Sequence, residues 1–327
     1  MELAFSPTTP GVTVTDLVDL CVLAEKHGYG AAWAAEVAGP EAFALLGAIA
    51  TRTRRIGLGV AVVPASTRSP ALLAMGAATL SQAAAGRPIA LGIGSSSEFI
   101  VSSWHDAPFD PPLGRVREAV VATRALLAGD SGFEGRFHRI RRFGLTSPPA
   151  GPVRLFVGAL GPGMLAVAGA VADGVCLNLT PPEMIPVQRE SVMAGAAATG
   201  RDLTGGFRMM ARLHVVPTDD VAAGRNAIRA GFGPYFAQPV YNRFLRSLGH
   251  EEEAEAVAGA FAAGDRAGVA AALHDEVVDR VAVVGPIGAI RDRLEQYAAS
   301  GLDVAALNLL APDAAGVASA LEALAPS

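Results

Sequence analysis

The chain alternates short, largely apolar runs with longer segments of helical spacing along most of its 327 residues. An apolar run of about four to eight residues between turn residues is typical of a strand buried on both faces. Strands that alternate with helices favour a parallel sheet, and eight such units predict a (β/α)8 barrel, an α/β fold of the TIM-barrel type. A doubly wound open sheet is the alternative. The eight runs are Glu2–Ser6, Ala31–Ala35, Ile56–Val63, Ile89–Ile93, Val153–Gly158, the run that ends at Asn178, Phe207–Val216 and Val304–Leu310.

The segments between these runs have the spacing of amphipathic helices. In Thr15–His27, apolar residues recur three and four positions apart, and a glycine follows, as it commonly does at the end of a helix. The interval 218–280 is mainly helical and longer than one connection needs. We therefore predict a single domain over residues 1–327 with a helical insertion at 218–280, after the seventh strand. We expect this insertion to cover the substrate pocket as a lid.

Composition limits the partners and the location of the protein. The net charge of −5 and the pI near 5.7 argue against a nucleic-acid partner, whose contact face would be basic. The longest uncharged run, Leu155–Ala172, is interrupted by glycines and Pro162, so a membrane span is not expected. No basic region precedes an apolar stretch at the N-terminus, and Cys21 and Cys176 suit core positions in a reducing compartment. We expect a cytoplasmic protein.

The residues that follow the strands carry the information on function, because the active sites of such barrels lie at the carboxyl ends of the strands. This set contains two carboxylates, several small hydroxyls and much apolar surface, and no group of His, Cys and carboxylate residues at metal-ligand spacing. It therefore predicts no metal site and suits a flat, largely apolar ring with a phosphate at one end. The set is Ser6, Glu36, Val62–Ala65, Ser95–Ser97 with Glu98, Gly158–Gly163 and Asn178.

One of these segments has the pattern of an anion site. After the strand that ends at Gly158, Gly161 and Gly163 leave backbone N–H groups uncovered where a helix begins and its dipole is positive. Pro162 suits the first helical position, because a helix does not use that N–H. A plain connection between strand and helix is the alternative interpretation.

Two side chains are candidates for moving a proton. Glu36 follows a buried strand at the barrel mouth, where a carboxylate is a candidate proton donor or acceptor; the alternative is a helix-start residue paired with an arginine. His105 lies beside Trp104 in an irregular loop and is a second candidate, although loop histidines are often simply exposed. Glycines at 57, 59, 92 and 94 either admit a planar ligand or serve barrel packing.

Several motifs resemble the bacterial luciferase-like superfamily. They are Ala24-Glu-Lys-His-Gly-Tyr-Gly-Ala-Ala-Trp-Ala-Ala-Glu36, Arg55-Ile-Gly-Leu-Gly-Val-Ala-Val-Val63, Thr67-Arg-Ser-Pro70, Gly86-Arg-Pro-Ile-Ala-Leu-Gly-Ile-Gly94 and Gly285-Pro-Ile-Gly288. The variants Gly94-Ser-Ser-Ser97, Gly161-Pro-Gly-Met164 and Ala172-Asp-Gly174 are similar to its deazaflavin branch, which uses coenzyme F420. The resemblance covers nearly the whole chain and is weakest over 218–280.

The resemblance implies a barrel with its cofactor at the C-terminal mouth, F420 or alternatively FMN, and a homodimer. It also implies a non-prolyl cis peptide at Ala61–Val62, against one face of the ring, and a phosphate at residues 159–164. The strand-end positions and the resemblance together predict the cofactor-binding residues, which are Ser6, Ala61, Val62, Ser95, Ser96, Ser97, Gly158, Ala159, Leu160, Gly161, Pro162, Gly163, Met164 and Asn178. Some relatives have a histidine directly after the second strand, where this chain has Glu36 and Val37, and others have a glutamate at Ser97, which Glu98 follows here. The proton carrier is therefore not transferred from them.

Three functions are compatible with this sequence. The first is an F420-dependent oxidoreductase that passes a hydride between the deazaflavin C5 and a small organic substrate, with Glu36 or His105 moving the accompanying proton. The second is an FMN-dependent monooxygenase on the same fold. The third is a non-catalytic flavin- or F420-binding protein.

Overall fold

The computed structural model describes residues 1–326 and contains eleven strands. Ser327, the last residue of the predicted domain, lies outside the described residues. In chain order, the strands are β1 (Glu2–Phe5), β2 (Ala31–Ala34), β3 (Gly57–Pro64), β4 (Ile89–Gly94), β5 (Phe133–Glu134), β6 (Arg139–Ile140), β7 (Val153–Gly158), β8 (Gly174–Asn178), β9 (Arg208–Pro217), β10 (Val283–Gly285) and β11 (Val304–Leu309).

Eight of these strands form a closed parallel barrel. Following the hydrogen bonds, the order around it is β1, β2, β3, β4, β7, β8, β9 and β11, and β11 pairs again with β1. Because β8 also pairs with β9, no open edge remains, so the predicted (β/α)8 barrel is confirmed and the open-sheet alternative is wrong. β5 and β6 form a small antiparallel hairpin, and β10 pairs with the far end of β9.

Thirteen α-helices accompany the strands. They are α1 (Val14–Lys26), α2 (Ala42–Arg52), α3 (Pro70–Ala83), α4 (Pro112–Leu127), α5 (Pro162–Val171), α6 (Met184–Ala197), α7 (Val221–Phe236), α8 (Pro239–Ser247), α9 (Glu251–Ala262), α10 (Arg266–Ala272), α11 (Asp275–Val281), α12 (Ile287–Ala299) and α13 (Ala314–Ala323). Local chemistry explains several starts. The Ser69 hydroxyl accepts from the Leu72 N–H, with Pro70 at the first position of α3. Among these helices, none is long and apolar enough to cross a membrane.

The core has an inner and an outer part. Trp33 on β2 and Phe156 on β7, two strands that are not neighbours, meet edge to face with ring centroids 5.3 Å apart, so this contact crosses the barrel interior. Alternate positions such as Ala4 and Met210 join the same inner cluster. The larger apolar cluster fills the space between the sheet and the surrounding helices. Residues in step with the inner cluster along each strand therefore point into the barrel.

The segment between β9 and β10 consists of helices α7 to α11 and has an apolar cluster of its own, including Phe236, Phe244 and Val277. Leu179, directly after β8, belongs to the same cluster, and Leu160, after β7, packs against it. Both residues lie at the carboxyl ends of barrel strands. The insertion is thus attached to the end of the barrel where the strands finish.

Candidate active site at the carboxyl end of the barrel

The mouth of the barrel is apolar on one side and polar on the other. On the apolar side, β3 has a bulge between Val60 and Val63 relative to β4, and the Ala61–Val62 peptide is cis, at the position that the family resemblance implied. The polar side is formed by β1, β8, β9 and β11. Pairing of Asn178 with Arg212 places the end of β8 level with the middle of β9.

Glycines let the β3 bulge pack closely against the neighbouring strands. A Cβ at Gly94 would lie 2.6 Å from Val62 Cγ2, and one at Gly158 would lie 3.1 Å from the same side chain. A Cβ at Gly92 would lie 2.3 Å from the Val60 carbonyl oxygen, and one at Gly59 would lie 2.3 Å from the Trp33 ring. At these positions the strand glycines therefore serve barrel packing.

The turn after β7 has the features of an anion site. Gly161 is the N-cap of α5, Pro162 occupies the first turn, and no side chain of residues 1–326 caps this end of the helix. A Cβ at Gly161 would meet nothing within 4 Å, so the approach to the helix end is open. The uncapped N–H groups and the helix dipole together favour a negatively charged group here. Ala159 is buried, while Leu160 and Met164 are half-buried.

The polar side of the mouth contains a hydrogen-bonded chain that crosses three strands. Thr8 Oγ1 donates to Asn308 Oδ1 at 2.8 Å, Asn308 Nδ2 lies 3.0 Å from His214 Nδ1, and His214 Nε2 lies 2.9 Å from Asn178 Oδ1. Because an amide nitrogen can only donate, Asn308 makes His214 Nδ1 the acceptor, and the ring proton resides on Nε2 facing Asn178. Burial, together with the charge of Arg212, holds the pKa of His214 well below its ordinary value. His214 is therefore neutral at neutral pH.

Arg212 lies two residues before His214 on β9 and points to the same side of the strand. Its Nε donates to Ser6 Oγ at 3.1 Å, and its Nη2 donates to Thr8 Oγ1. Burial lowers the pKa of Arg212 to about 10, which leaves the guanidinium charged at neutral pH. The polar side of the mouth thus contains a positive charge next to a neutral imidazole.

Aromatic side chains of the insertion cover this polar side. The Phe232 ring of α7 lies 4.2 Å from the His214 ring, centroid to centroid, and Tyr235 and Tyr241 pack edge to face at 5.6 Å. Asn178 Nδ2 approaches the Tyr241 hydroxyl at 3.5 Å, and burial raises the pKa of Tyr241. These contacts bring the insertion directly over the strand ends.

Glu36, the first proposed proton carrier, has fixed partners. Arg68 donates to both of its carboxylate oxygens, at 2.7 and 3.0 Å, and also contacts Glu41. Glu36 further accepts from the Ala42 N–H at 3.1 Å, at the start of α2. These contacts agree with the interpretation of Glu36 as a helix-start residue paired with an arginine.

The loop after β4 contains the remaining predicted site residues. Ser95, Ser96 and Ser97 are half-buried; Ser96 has a left-handed φ of 59°, and Ser97 Oγ accepts from the Ile100 N–H at 3.3 Å. A π-helical turn over Ile100–Trp104 follows, and His105 lies exposed at its end. The predicted serines thus lie beside the mouth, whereas His105 is on the surface.

Four residues of the polar chain were not among the sequence-predicted site residues: Thr8, Arg212, His214 and Asn308. Only Ser6 and Asn178 of this group were predicted. A usable signal was present, because Arg212 and His214 occupy alternate positions in the otherwise apolar run Met209–Val216. Within residues 1–326, no group of three or more His, Cys, Asp or Glu residues is arranged to hold a metal ion.

The sequence of the chain is similar to one family model and to several known proteins. Residues 2–304 match the family model described as luciferase-like monooxygenase. A 5,10-methylenetetrahydromethanopterin reductase of Archaeoglobus fulgidus is 30% identical over 305 residues, which is 89% of each chain. A putative coenzyme F420-dependent oxidoreductase of Mycobacterium tuberculosis is 29% identical over 309 residues, 87% of this chain and 88% of that protein.

Solved structures share the fold. The coenzyme F420-dependent tetrahydromethanopterin reductase of Methanopyrus kandleri superposes with a TM-score of 0.81 at 22% identity, covering 99% of this chain and 98% of that one. A monooxygenase of Streptomyces bottropensis superposes with a TM-score of 0.72 at 22% identity, with the same coverage.

Proposed function

The chain belongs to the luciferase-like monooxygenase family, and we propose that within it the protein is a coenzyme F420-dependent oxidoreductase that transfers a hydride between C5 of the deazaflavin and a small organic substrate. The names of the sequence relatives, F420-dependent or methanopterin-linked enzymes, support this choice. The observation that carries the proposal is the pairing of a tightly packed bulge at Ala61–Val62 with an uncapped helix end at Gly161, on neighbouring parts of one barrel mouth.

The residues present fit such a cofactor. A planar ring requires an apolar wall, which the β3 bulge provides together with Gly94 and Gly158. A phosphate requires N–H donors and positive potential, which the segment 158–164 and the start of α5 provide. Ser95, Ser96 and Ser97 would hold polar edges beside the wall, and Ser6 and Asn178 would do so on the polar side.

The side chains of the mouth have distinct tasks in this proposal. When bound, F420 supplies a carbon centre that accepts or releases a hydride. Phe232 and Tyr241 exclude water from the reacting groups, as a lid does. Asn178 and Asn308 hold His214 in one tautomer, with its proton on Nε2. Glu36 and His105 stay the proposed proton carriers, and a role for Glu36 requires its ion pair with Arg68 to open.

Titration of the purified protein with F420 and, separately, with FMN tests the cofactor. We expect saturable binding of F420 followed by cofactor fluorescence, and much weaker binding of FMN. Tight binding of FMN with none of F420 would contradict the proposal and favour the FMN-dependent monooxygenase, which oxygen consumption with reduced FMN would then establish. Binding of F420 without hydride transfer to any substrate would favour the non-catalytic carrier.

A further inference from the structure

Arg212 is a partly buried arginine without a counter-charge. Within residues 1–326, no carboxylate lies within 4 Å of its guanidinium, and its two hydrogen-bond partners are neutral hydroxyls. Arg68 pairs with Glu36 and Glu41. Arg87 lacks a carboxylate too, but Ala50, Ile56, Thr53 and Ala84 accept from its three nitrogens. Burial of a cation without a nearby anion costs free energy, and an anionic ligand at the guanidinium would reduce that cost.

The neighbouring groups favour an anion at this point. Ser6 is fully buried, and its hydroxyl, which accepts from Arg212, has no acceptor for its own proton among residues 1–326. Arg212 Nη1 likewise donates to no described residue. The Thr8 hydroxyl already donates to Asn308, and His214 is neutral. Ser6 Oγ and Arg212 Nη1 therefore both retain donor capacity, which the oxygens of an anionic ligand such as a carboxylate can accept.

The position of Arg212 indicates which reactant would bring the anion. In an eight-stranded barrel, β9 is four strands from β3 in either direction, so Arg212 lies across the mouth from the Ala61–Val62 bulge. The helix end at Gly161, the proposed phosphate site, belongs to a different strand end. If the bulge and this helix end hold the cofactor, the side with Arg212 is left for the second reactant.

We propose that the substrate is an organic acid whose carboxylate pairs with Arg212 and accepts a hydrogen bond from Ser6. This inference rests on the proposed function, because it assigns the opposite wall to the cofactor, and it reassigns Ser6 from a polar edge of the cofactor to the carboxylate of the substrate. The aromatic roof of Phe232, Tyr235 and Tyr241 then encloses the rest of the acid and removes water from the ion pair, which strengthens it.

Acetate and its neutral isostere acetamide test the site without knowledge of the full substrate. Thermal unfolding is followed while either compound is raised to about 100 mM at constant ionic strength, and we expect a saturable rise in Tm of about 2 °C with acetate only. Arg212→Met should abolish this rise, and Arg212→Lys should retain part of it. The matched control is Arg208→Met, on the same strand, where the arginine pairs with Glu2 at 2.9 Å; it should respond as the parent does.

Three results of the unfolding experiment would overturn the proposal: no rise with acetate, an equal rise with acetamide, or an unchanged rise in Arg212→Met. Fluorescence titration with F420 separates this proposal from the proposed function. We expect Arg212→Met to bind F420 within about threefold of the parent affinity, a difference well below 1 kcal/mol. A loss of F420 binding in that variant would assign Arg212 to the cofactor and also overturn the inference. Failure of the parent to bind F420 would instead contradict the proposed function, whatever acetate does.

Discussion

The charged side chains buried in this barrel differ in the groups that compensate their charge. Glu36 and Arg68 are each largely buried and form a bidentate ion pair, and Arg68 also pairs with Glu41. Arg212 is balanced by hydroxyls alone. Removing one member of a buried pair leaves an uncompensated charge, whereas removing an unpaired charge does not. The same substitution, arginine to a neutral residue, should therefore have different consequences at Arg68 and Arg212.

The Glu36–Arg68 pair is expected to couple β2 to the start of α3. Glu36→Gln and Arg68→Gln should each lower the free energy of unfolding by about 1–3 kcal/mol, and the double variant should lose at least about 1 kcal/mol less than the sum. Urea unfolding of the four proteins measures this coupling, and additive losses would contradict it.

Arg68→Gln is also the matched control for catalysis, since it opens the pair and keeps the carboxylate. Equal hydride-transfer rates in the two single variants would leave Glu36 without a catalytic role.

His214 is expected to make stability dependent on pH. Its folded pKa lies below the unfolded value of about 6.5, so the unfolded chain binds the extra proton first as the pH falls. The contribution of His214 is complete above that value and decreases below it, by up to about 1.4 kcal/mol per pH unit. Urea unfolding between about pH 7.5 and 5.5 should show this slope.

His138 also contributes to the slope. Burial also lowers the pKa of His138, in the β5–β6 hairpin, so this residue contributes with the same sign. His214→Gln should remove the larger part of the slope, because His214 is completely buried whereas His138 is half-buried. His138→Gln is the control. An unchanged slope in His214→Gln would show that His214 is protonated in the native state.

Whole elements were predictable where burial alone determines them. The eight barrel strands are mostly apolar, and each was located to within about two residues, because a strand covered on both faces is built largely from apolar residues. β10 was missed, since its three residues pair only with the end of β9. The π-helical turn at Ile100–Trp104 was missed as well. In the site, Ser6 and Asn178 were predictable from strand ends, whereas Arg212 lies inside a strand and depends on pairing register, which one strand does not reveal.

The start of α5 offers a test of anion binding by a single element. Gly161 has a φ of −88°, and a Cβ there meets nothing within 4 Å, so a side chain is tolerated. Gly161→Asp should cap α5 and stabilise the protein by about 1 kcal/mol, while its carboxylate takes the place of the phosphate and weakens F420 binding more than tenfold. Gly161→Asn is the control, because it caps the helix without a charge. Equal losses of affinity in both variants would attribute the effect to size.

At the scale of the whole molecule, the exposed apolar side chains indicate how copies would associate. The resemblance to the luciferase-like family implies a homodimer, and α3 carries Leu72 and Met75, each about half exposed and three residues apart on one helix face. Isolated exposed apolar residues are ordinary, whereas a pair on one face forms a continuous patch that association would bury.

We predict that the protein is a dimer in solution and that α3 lies in the interface. The double variant Leu72→Asp/Met75→Asp should convert the dimer to a folded monomer, because two carboxylates buried against the partner cost more than the contact returns. Light scattering after size exclusion gives the mass of each variant, and circular dichroism verifies the fold. Val187→Asp/Met193→Asp on α6 is the matched control, since these side chains are as exposed as those on α3, and it should stay dimeric. A monomeric parent would contradict the dimer itself, whereas a dimeric α3 variant would place the interface on another face of the barrel.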